Sequence, residues 1–381
     1  MLEGSGTGVA TYASALYDAL NARDRTPLRI TDKGGGRFVR ARAPERWLRW
    51  CHAVLDRPRR LAHRGHELHA RDIFRLAQVH FDRHRSLLRL KAPGPPGIMH
   101  WTYPLPIRIE GWINLYTIHD AIPLTHPWLT PIDAPRHLHL LQAIAAGGGH
   151  MITVSHAAKA DIVSALDCAP DRIGVCPTGL ALPAPIDMPL PFGLQRGGYF
   201  LAVGSVEPRK NLPRLVEAHR ASGTPLPLIV AGPSGWRSDE IEPLLAAAPG
   251  VIRMPYPPRD TLMTLMAHAR ALLFPSLAEG FGLPIVEAMS LGTAVMTSRG
   301  GATEEIAGDA ALLVDPGNMA DISAAIATLG ADDDLVDRLT MAGRARAERF
   351  AVDRFAARLE EVHHHLLTEY GWTSATGLVK G

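Results

Sequence analysis

The chain has 381 residues, 46% of them hydrophobic, and a formal net charge of +2, so two globular cores are expected and the total charge indicates no class of partner. Its three cysteines, Cys51, Cys168 and Cys176, lack the spacing of a disulfide pair or a metal site, which favours a reducing cytoplasm. The first ten residues show no signal-peptide pattern and no stretch reaches 18 apolar residues, so we expect no membrane-spanning segment.

The first stretch, MLEGSGTGVATYASALYDAL, predicts a glycine-bearing loop followed by a helix. A doubly wound domain should open with a strand before such a loop, and that strand is almost absent. Either the natural start lies upstream of Met1 or the first strand is trimmed. Because an alternating glycine loop is also typical of a flexible terminus, Gly4, Gly6 and Gly8 alone do not establish a binding site.

Positive charge is concentrated between Lys33 and Lys91, which hold 16 Lys and Arg against 5 Asp and Glu. Within this stretch, RWLRWCHAVL interleaves Trp47 and Trp50 with arginines. A basic, Trp-bearing amphipathic segment suits an anionic membrane surface. The alternative is a helix that covers its own domain with solvated arginines. No motif that reads DNA or RNA accompanies the charge, so we do not expect nucleic acid as a partner.

Four short apolar runs in the first half predict strands that lead into loops or helices: GIMHWTY, INLYTIHD, HMITVSHAAK and RIGVCPTGL. A Pro- and Gly-rich run after them predicts a linker. We therefore assign residues 1–186 to a first α/β domain and residues 187–198 to the linker.

The second half alternates strand and helix patterns more regularly. Its strand patterns are YFLAVGS, PLIVAGPSGW, GVIRMPY, ARALLFPS, TAVMTS and AALLVDP. This alternation predicts a second α/β domain over residues 199–350, with a parallel sheet covered by helices on both faces. Ligands of such sheets bind beyond the carboxyl ends of the strands, so two domains would hold a ligand in the cleft between them.

The tail RARAERFAVDRFAARLEEVHHHLL predicts one long amphipathic helix, and residues 351–381 are expected to cross back to the first domain. Its histidines, His363 to His365, resemble a metal-binding tract. The polar face of a helix explains them equally well.

The segment SLAEGFGLPIVEAMSLG follows a predicted strand with a glycine loop and then a helix. Pro284 suits the first helical position, where its missing N–H is not needed. Such a helix start presents unpaired N–H groups and positive charge to an anion, most often a phosphate. Glu279 and Glu287 flank this point, and carboxylates suit the hydroxyls of a sugar and a ribose beside a phosphate. The alternative is an ordinary loop carboxylate and an ordinary helix carboxylate.

At this point the motifs carry a resemblance. EGFGLPIVE resembles the E-x7-E signature of the family 4 retaining glycosyltransferases, and GSVEPRKNLPRLVEA resembles their phosphate-clamping turn. TIHDAIPL and GTGVATYASAL resemble their acceptor-domain motifs. The resemblance implies the GT-B fold, in which two Rossmann-like doubly wound parallel-sheet domains face each other across a cleft. It implies that residues 1–186 bind the acceptor and residues 199–350 the nucleotide sugar.

The resemblance also implies roles at the sugar and diphosphate. Glu279 would contact the hydroxyls of the donor sugar, His119 would sit at the sugar end, and Glu287 would contact the ribose. The diphosphate would be held by Arg209 and Lys210. The backbone of Phe281, Gly282 and Leu283 would meet the diphosphate and the sugar, and Gly204 and Ser205 would also belong to the donor-binding site. Many relatives carry arginine where this chain has Ser205, which shifts more of the phosphate binding onto Arg209 and Lys210.

Further positions follow from the same resemblance. Tyr256, in MPYPP, would receive the base of the nucleotide; the alternative is a residue that only caps a strand. The loop at Gly6, Thr7 and Gly8 would face the diphosphate or the acceptor. His119 and Asp120 are also compatible with a structural pair at a strand end.

The implied activity is transfer of a hexose from a nucleotide-diphosphate sugar with retention of configuration. No Asp-x-Asp motif lies where a metal-dependent sugar transferase would need one, so we expect no metal and no cofactor. The motifs are most similar to those of bacterial mannosyltransferases of surface polysaccharide assembly, which implies GDP-mannose and a glycan or lipid-diphosphate-linked acceptor. A cytoplasmic enzyme, peripheral on the inner face of the membrane, would fit. The alternatives are a nucleotide-sugar epimerase of this fold, a non-catalytic subunit that kept it, and a transferase with a soluble acceptor.

Overall fold

The computed structural model describes residues 8–23, 27–32, 55–181 and 188–372, and the structural statements that follow concern these residues. Gly6, Thr7 and residues 46–54 of the Trp-bearing segment lie outside them. The predicted boundary between the first domain and the linker, at 186 and 187, also lies outside them.

The amino-terminal half alternates short strands and helices. Its strands are β1 (Arg29–Thr31), β2 (Arg59–Arg60), β3 (Ala62–Arg64), β4 (Glu67–His69), β5 (Leu88–Lys91), β6 (Ile98–Trp101), β7 (Ile107–Ile109), β8 (Ile113–Thr117), β9 (His150–Thr153) and β10 (Ile173–Val175). Its helices are α1 (Gly8–Asn21), α2 (Ile73–His84), α3 (Ile122–Thr125), α4 (Ala134–Ala146) and α5 (His156–Leu166).

The four strand patterns of the first half form one parallel sheet, in the order β10-β9-β8-β6. The central strand β8 is buried at every position, as expected for a parallel sheet with both faces covered. Two smaller sheets, β2-β5-β7 and β1-β4-β3, lie outside this predicted set. The antiparallel pair β3–β4 turns at Gly65, whose φ of 57° suits glycine. Strands β1 to β4 are too short and too rich in Arg and His to give an apolar pattern.

The carboxyl-terminal half is regular. Its strands are β11 (Phe200–Val203), β12 (Leu228–Ala231), β13 (Val251–Met254), β14 (Ala271–Phe274), β15 (Ala294–Ser298) and β16 (Leu312–Val314). Its helices are α6 (Leu212–Ala221), α7 (Ser238–Ala247), α8 (Arg259–His268), α9 (Leu283–Leu291), α10 (Gly301–Ala307), α11 (Met319–Ala331), α12 (Asp333–Ala347) and α13 (Val352–Glu369).

All six of these strands are parallel, in the order β13-β12-β11-β14-β15-β16. Alternate residues of β11 enter different cores: Phe200 packs on one face of the sheet and Leu201 on the other. The order reverses between β11 and β14, which makes the carboxyl ends of these two strands the expected binding point. Both of the loops singled out in the sequence start there.

The tail is not one helix, so that prediction was wrong. Helix α12 ends at Ala347, a 3-10 turn covers Glu348–Phe350, and Ala351 is extended before α13 begins. The break lets the N–H of Leu180 donate to the carbonyl of Phe350 at 2.8 Å. The break contains no Gly or Pro, so no local pattern predicts it.

After the break, α13 packs against the amino-terminal half. The ring of Phe355 lies 5.9 Å from that of Tyr12 in α1, and Arg358 donates to the carbonyl of Pro177 at 3.0 Å. The two halves therefore share a core that α13 helps to close. No helix in the described part of the chain combines the length and the apolar content needed to cross a bilayer.

Candidate active site

The site begins at Gly204, directly after β11. Its φ of 138° suits glycine, and an added Cβ would lie 2.9 Å from Cε of Lys210. A side chain at 204 would therefore collide with the lysine that folds over this turn. The ammonium of Lys210 lies 4.3 Å from the centre of the Phe274 ring, at the end of β14. Glycine and lysine together bring the ends of the two central strands into contact.

The turn that carries Arg209 and Lys210 is fixed to the loop after β14. The 3-10 turn Pro208–Lys210 ends at Asn211, which adopts φ 59° and donates its side-chain amide to the carbonyls of Pro275 (3.0 Å) and Pro316 (2.8 Å). The N–H of Leu277 donates to the carbonyl of Arg209 at 2.9 Å. The two loops are therefore held as one unit by backbone as well as side-chain hydrogen bonds.

Glu279 is the centre of a buried charge cluster. Nζ of Lys210 lies 2.6 Å from its Oε1, and Nη1 of Arg209 donates to its Oε2. The other arm of Arg209 donates to Glu207 at 2.6 Å. Charge-assisted hydrogen bonds of this kind are the strong ones, and they are stronger still where water is excluded.

The cluster fixes the charge of Glu279. Burial opposes ionisation of this carboxyl, but Arg209 and Lys210 outweigh it and lower its pKa to about 2. Burial lowers the pKa of Lys210 against the attraction of Glu279, whereas Arg209 keeps a raised pKa because three carboxylates, Glu279, Glu207 and Asp120, outweigh its burial. At neutral pH the site therefore holds a carboxylate among cations.

Helix α9 starts beside this cluster. Gly282 caps it with φ 100°, and Pro284 is its second residue, one position later than the sequence predicted but still within the first turn. The ring of Phe281 is buried against Phe350, so its backbone alone faces the loop. Leu283 lies across from the start of α1, where a Cβ on Gly8 would be 3.8 Å from its Cδ1. Two helix amino-termini thus converge on one place, which favours an anion.

Glu287 lies on the first turns of α9, almost fully buried. Burial raises its pKa, and Arg259 opposes this by donating from Nη2 to Oε1 at 2.6 Å. Arg259 starts α8 and is 55% exposed. Tyr256 precedes it, 72% exposed and in the left-handed region at φ 46°. Arg259 therefore borders the Glu287 end of the site, and Tyr256 lies three residues before it in the chain.

His119 and Asp120 lie after β8, at the edge of the amino-terminal sheet that faces the second domain. Nε2 of His119 is 2.8 Å from the carbonyl of Thr102, so the hydrogen is assigned to Nε2 and Nδ1 is left as an acceptor. Burial lowers the pKa of His119, which keeps the ring neutral at neutral pH. Burial also raises the pKa of Asp120, and Arg209 opposes that across the cleft.

The two halves are in tight contact at Gly280. A Cβ added there would lie 2.1 Å from the carbonyl oxygen of His119 and 2.9 Å from Cβ of Asp120. The loop after β14 therefore touches the loop after β8 with no room for a side chain. Glycine is required here by contact across the cleft, and not by its dihedral angles.

The structure brings most of the residues singled out in the sequence to this cleft. Glu279, Arg209, Lys210 and Gly204 are in contact, and Gly8 reaches Leu283. Ser205 follows Gly204 in the same loop, and its side chain makes no hydrogen bond to the residues that the structure describes. The assigned roles at a donor stay predictions. Within the described residues, no group of three or more His, Cys, Asp and Glu side chains is arranged to hold a metal ion.

Sequence reasoning missed three of the charged groups. Glu207 and Asp120 lie within motifs that were singled out, GSVEPRKNLPRLVEA and TIHDAIPL, but no pattern predicts that they face Arg209. Arg259 lies 28 positions from its partner Glu287, and its place after two prolines at a helix start was the single local sign of it.

Comparison of the sequence with known proteins identifies the family. Residues 194–346 match the model of the family described as glycosyl transferases group 1. Over 263 residues the chain is 34% identical to the O-antigen chain mannosyltransferase B of Escherichia coli, covering 65% of this chain and 68% of the relative. The chain belongs to the group 1 glycosyltransferases.

Two further comparisons extend this group 1 assignment. The chain is 26% identical over 225 residues to the O-antigen chain mannosyltransferase RfbU of Salmonella typhimurium, covering 58% of this chain and 62% of that one. Its fold is similar to that of the sucrose-phosphate synthase of Thermosynechococcus elongatus, with a TM-score of 0.68, 18% identity and coverage of 96% and 95%. The group 1 chain therefore has the GT-B fold that its motifs implied.

Proposed function

We propose that this glycosyltransferase moves mannose from GDP-mannose to a glycan or lipid-diphosphate-linked acceptor in bacterial surface polysaccharide assembly, with retention of configuration. The observation that carries the proposal is the buried cluster of Glu279 with Arg209 and Lys210 beside the start of α9. A nucleotide-diphosphate sugar has the hydroxyls and the anionic leaving group that this cluster suits. The names of the two O-antigen mannosyltransferase relatives support mannose and a polysaccharide product.

The chemistry follows from where charge develops. As the sugar–diphosphate bond breaks, negative charge builds on the leaving diphosphate and positive charge on the sugar. Two fixed cations and the amino-terminal end of α9 stabilise the negative charge on the diphosphate. Removing one such group typically raises the activation free energy by about 3 kcal/mol. These groups supply the stabilisation without a metal or a cofactor, so we propose that neither is required.

Retention through a covalent intermediate would need a protein nucleophile on the face of the sugar opposite the leaving group. Glu279 is a poor nucleophile, since both of its oxygens are engaged by cations and its pKa is near 2. We propose attack from the same face as the leaving group, with the departing diphosphate accepting the proton of the acceptor hydroxyl.

The remaining residues complete a donor site. The carboxylate of Glu287, held by Arg259, would accept hydrogen bonds from the ribose, and the exposed ring of Tyr256 would meet the base. Nδ1 of His119 would accept a hydrogen bond from a sugar hydroxyl. Gly8 would bring the start of α1 to the diphosphate or the acceptor.

We further propose that the enzyme works in the cytoplasm, peripherally on the inner face of the membrane. Arg57, Arg60 and Arg64 are exposed in the described part of the basic stretch 33–91. Each such arginine near an anionic lipid surface contributes about 1 kcal/mol to the free energy of membrane binding. Co-sedimentation with vesicles containing anionic lipid, weakened by added salt, would test this.

The experiment for the donor is a thermal-shift screen of the chain with GDP-mannose, UDP-glucose, UDP-galactose and UDP-N-acetylglucosamine, each with and without EDTA. A donor at about 100 times its dissociation constant adds about 2.7 kcal/mol of stability. We expect GDP-mannose to give the shift, EDTA to leave it unchanged and Glu287→Ala to abolish it. Product analysis without acceptor then separates a transferase from an epimerase, and binding without turnover of any acceptor would indicate a non-catalytic subunit.

A further inference from the structure

The amino-terminus of α5 is one of the places where the first domain contacts the second. Ser155 caps this helix: its backbone is extended, and its Oγ accepts a hydrogen bond from the N–H of Ala158 at 3.0 Å. The side chain is fully buried. The cap leaves the N–H groups of His156 and Ala157 for another partner, since the first N–H groups of a helix have none within it.

That partner comes from the other domain. Glu305, on α10, accepts from the N–H of His156 through Oε1 and from the N–H of Ala157 through Oε2, both at 2.8 Å. A carboxylate at the positive end of a helix is favoured by charge as well as by its two hydrogen bonds. The backbone of α10 is fixed in turn by Arg346, which donates to the carbonyls of Glu305 (2.5 Å) and Ile306 (2.9 Å).

The same helix start also reaches the donor loop. Because Oγ of Ser155 accepts from Ala158, its hydrogen is available to donate, and it donates to the carbonyl of Gly280 at 2.8 Å. Gly280 directly follows Glu279, the centre of the charge cluster. It is also the residue that has no room for a side chain against His119.

These contacts form what we call the α5 joint: Ser155, His156 and Ala157 on one side, Gly280 and Glu305 on the other. We propose that Glu305 and Ser155 are positioning residues for the transfer reaction, which set the distance between the domains and so place Glu279 against the donor sugar. The inference rests on the proposed function for its kinetic consequence, and on geometry alone for the joint itself.

The physical reason is that catalysis depends on position to within a fraction of an ångström, and a misplacement of about 1 Å costs on the order of a hundredfold in rate. Gly280 is held by van der Waals contact on one side and by Ser155 on the other. Loss of the Glu305 carboxylate leaves two N–H groups of α5 without a protein partner. The contact between α5 and α10 is then weakened, so the distance between the domains can increase at this joint, and the Gly280 loop moves away from His119 with it.

The test compares Glu305→Ala and Glu305→Gln with Glu304→Gln. Glu304 is the matched control, since it is the adjacent carboxylate of α10 but accepts from the N–H of Gly300 within its own domain. We expect kcat to fall about tenfold to hundredfold in Glu305→Ala and less in Glu305→Gln, which retains one acceptor oxygen. The KM for the donor and the melting temperature should stay close to those of the control.

Small-angle X-ray scattering supplies a readout that does not depend on activity. The radius of gyration should increase in Glu305→Ala but not in Glu304→Gln. In the double variant Ser155→Ala with Glu305→Ala, the fold-decrease in kcat should not exceed the product of the two single fold-decreases. It should typically be smaller, because both residues act through one joint.

An unchanged radius of gyration together with a kcat within twofold of wild type would overturn the proposal. If the wild-type chain transfers no sugar from any donor, the proposed function fails, and the scattering result alone still decides whether the joint exists. A fall in kcat with an unchanged radius of gyration would overturn the role of the joint in setting the distance between the domains.

Discussion

Nζ of Lys210 lies 2.6 Å from Oε1 of Glu279, so a residue assigned to the diphosphate and a residue assigned to the sugar form one ion pair. The pair joins the turn after β11 to the loop after β14, on either side of the point where the strand order reverses. Glu279, which would bind the sugar, and Lys210, which would bind the leaving group, would thus also be bound to each other.

Lys210→Met tests the cation of this pair, since methionine keeps most of the stem over Phe274 and removes the charge. We expect the transfer rate to fall by about 10² to 10³-fold, because one fixed positive group is lost where negative charge develops. Steady-state kinetics with GDP-mannose measure this. The control is Arg237→Ala, which removes an exposed ion pair with Glu240 and should leave the rate unchanged. A rate within fivefold of wild type in Lys210→Met would contradict the role.

Glu279→Gln tests the low pKa of the buried carboxyl. A group whose pKa is about 2 in the folded chain and near 4.5 in the unfolded chain contributes stability above pH 4.5 and loses it as the pH falls towards 2. The shift corresponds to up to about 3 kcal/mol at neutral pH. We expect Glu279→Gln to lower the free energy of unfolding by about this much at pH 7, with the difference narrowing continuously below pH 4.5. Urea unfolding of both proteins across this range measures it, and a constant difference would refute the assignment.

Arg259→Ala tests the support of Glu287. Burial already raises the pKa of this carboxyl, and the arginine opposes the increase. Without Arg259 the pKa should rise further, so that Glu287 takes up a proton at a higher pH than in the wild type. We expect the Kd for the donor to weaken about tenfold and to become more sensitive to falling pH. Calorimetric titration of the donor between pH 5.5 and 8.5 measures this, and parallel pH profiles for the two proteins would count against it.

Gly280→Ala tests the contact between the two loops across the cleft. The added Cβ would overlap the carbonyl of His119, and backbone on both sides cannot yield without separating the domains. We expect at least a hundredfold loss of transfer, because a displacement of about 1 Å costs that much. The control is Gly330→Ala in α11, where the nearest atom is the rotatable Oγ1 of Thr224 at 3.2 Å. Normal kinetics in Gly280→Ala would show that the cleft works in a more open form.

Phe355→Ala tests the return of α13 to the first domain. The ring is fully buried, and the Cβ and ring atoms of Phe355 occupy the space beside Gly179. We expect a loss of about 3–5 kcal/mol in the free energy of unfolding, from lost burial and the cavity left behind. Met341→Ala, at an exposed position of α12, should change it by less than about 0.5 kcal/mol. Urea unfolding of the two variants measures this, and a loss in Phe355→Ala as small as that of Met341→Ala would show that α13 is only loosely docked.

Much of the carboxyl-terminal fold could be read from the chain. Its six strands coincide with six apolar runs because both faces of a parallel sheet are buried, so every residue of a strand such as β14 is apolar. The short strands β1 to β4 could not be predicted in this way, since they lie in small sheets and carry Arg, His and Glu at half-exposed or exposed positions.

The sequence alone predicts which chemical groups the site presents, because residue types and local spacing fix the groups that each loop carries. Glu279 and the glycines around Phe281 stand in one segment, and Arg209 and Lys210 in another. Tertiary packing sets which groups approach from distant parts of the chain: Arg259 pairs with Glu287, Asp120 lies near Arg209, and Glu305 accepts hydrogen bonds from the start of α5. The break at Ala351 belongs with these, since its hydrogen bond to Leu180 comes from the other domain. Contacts between distant segments depend on how the domains pack, and no local pattern records that packing.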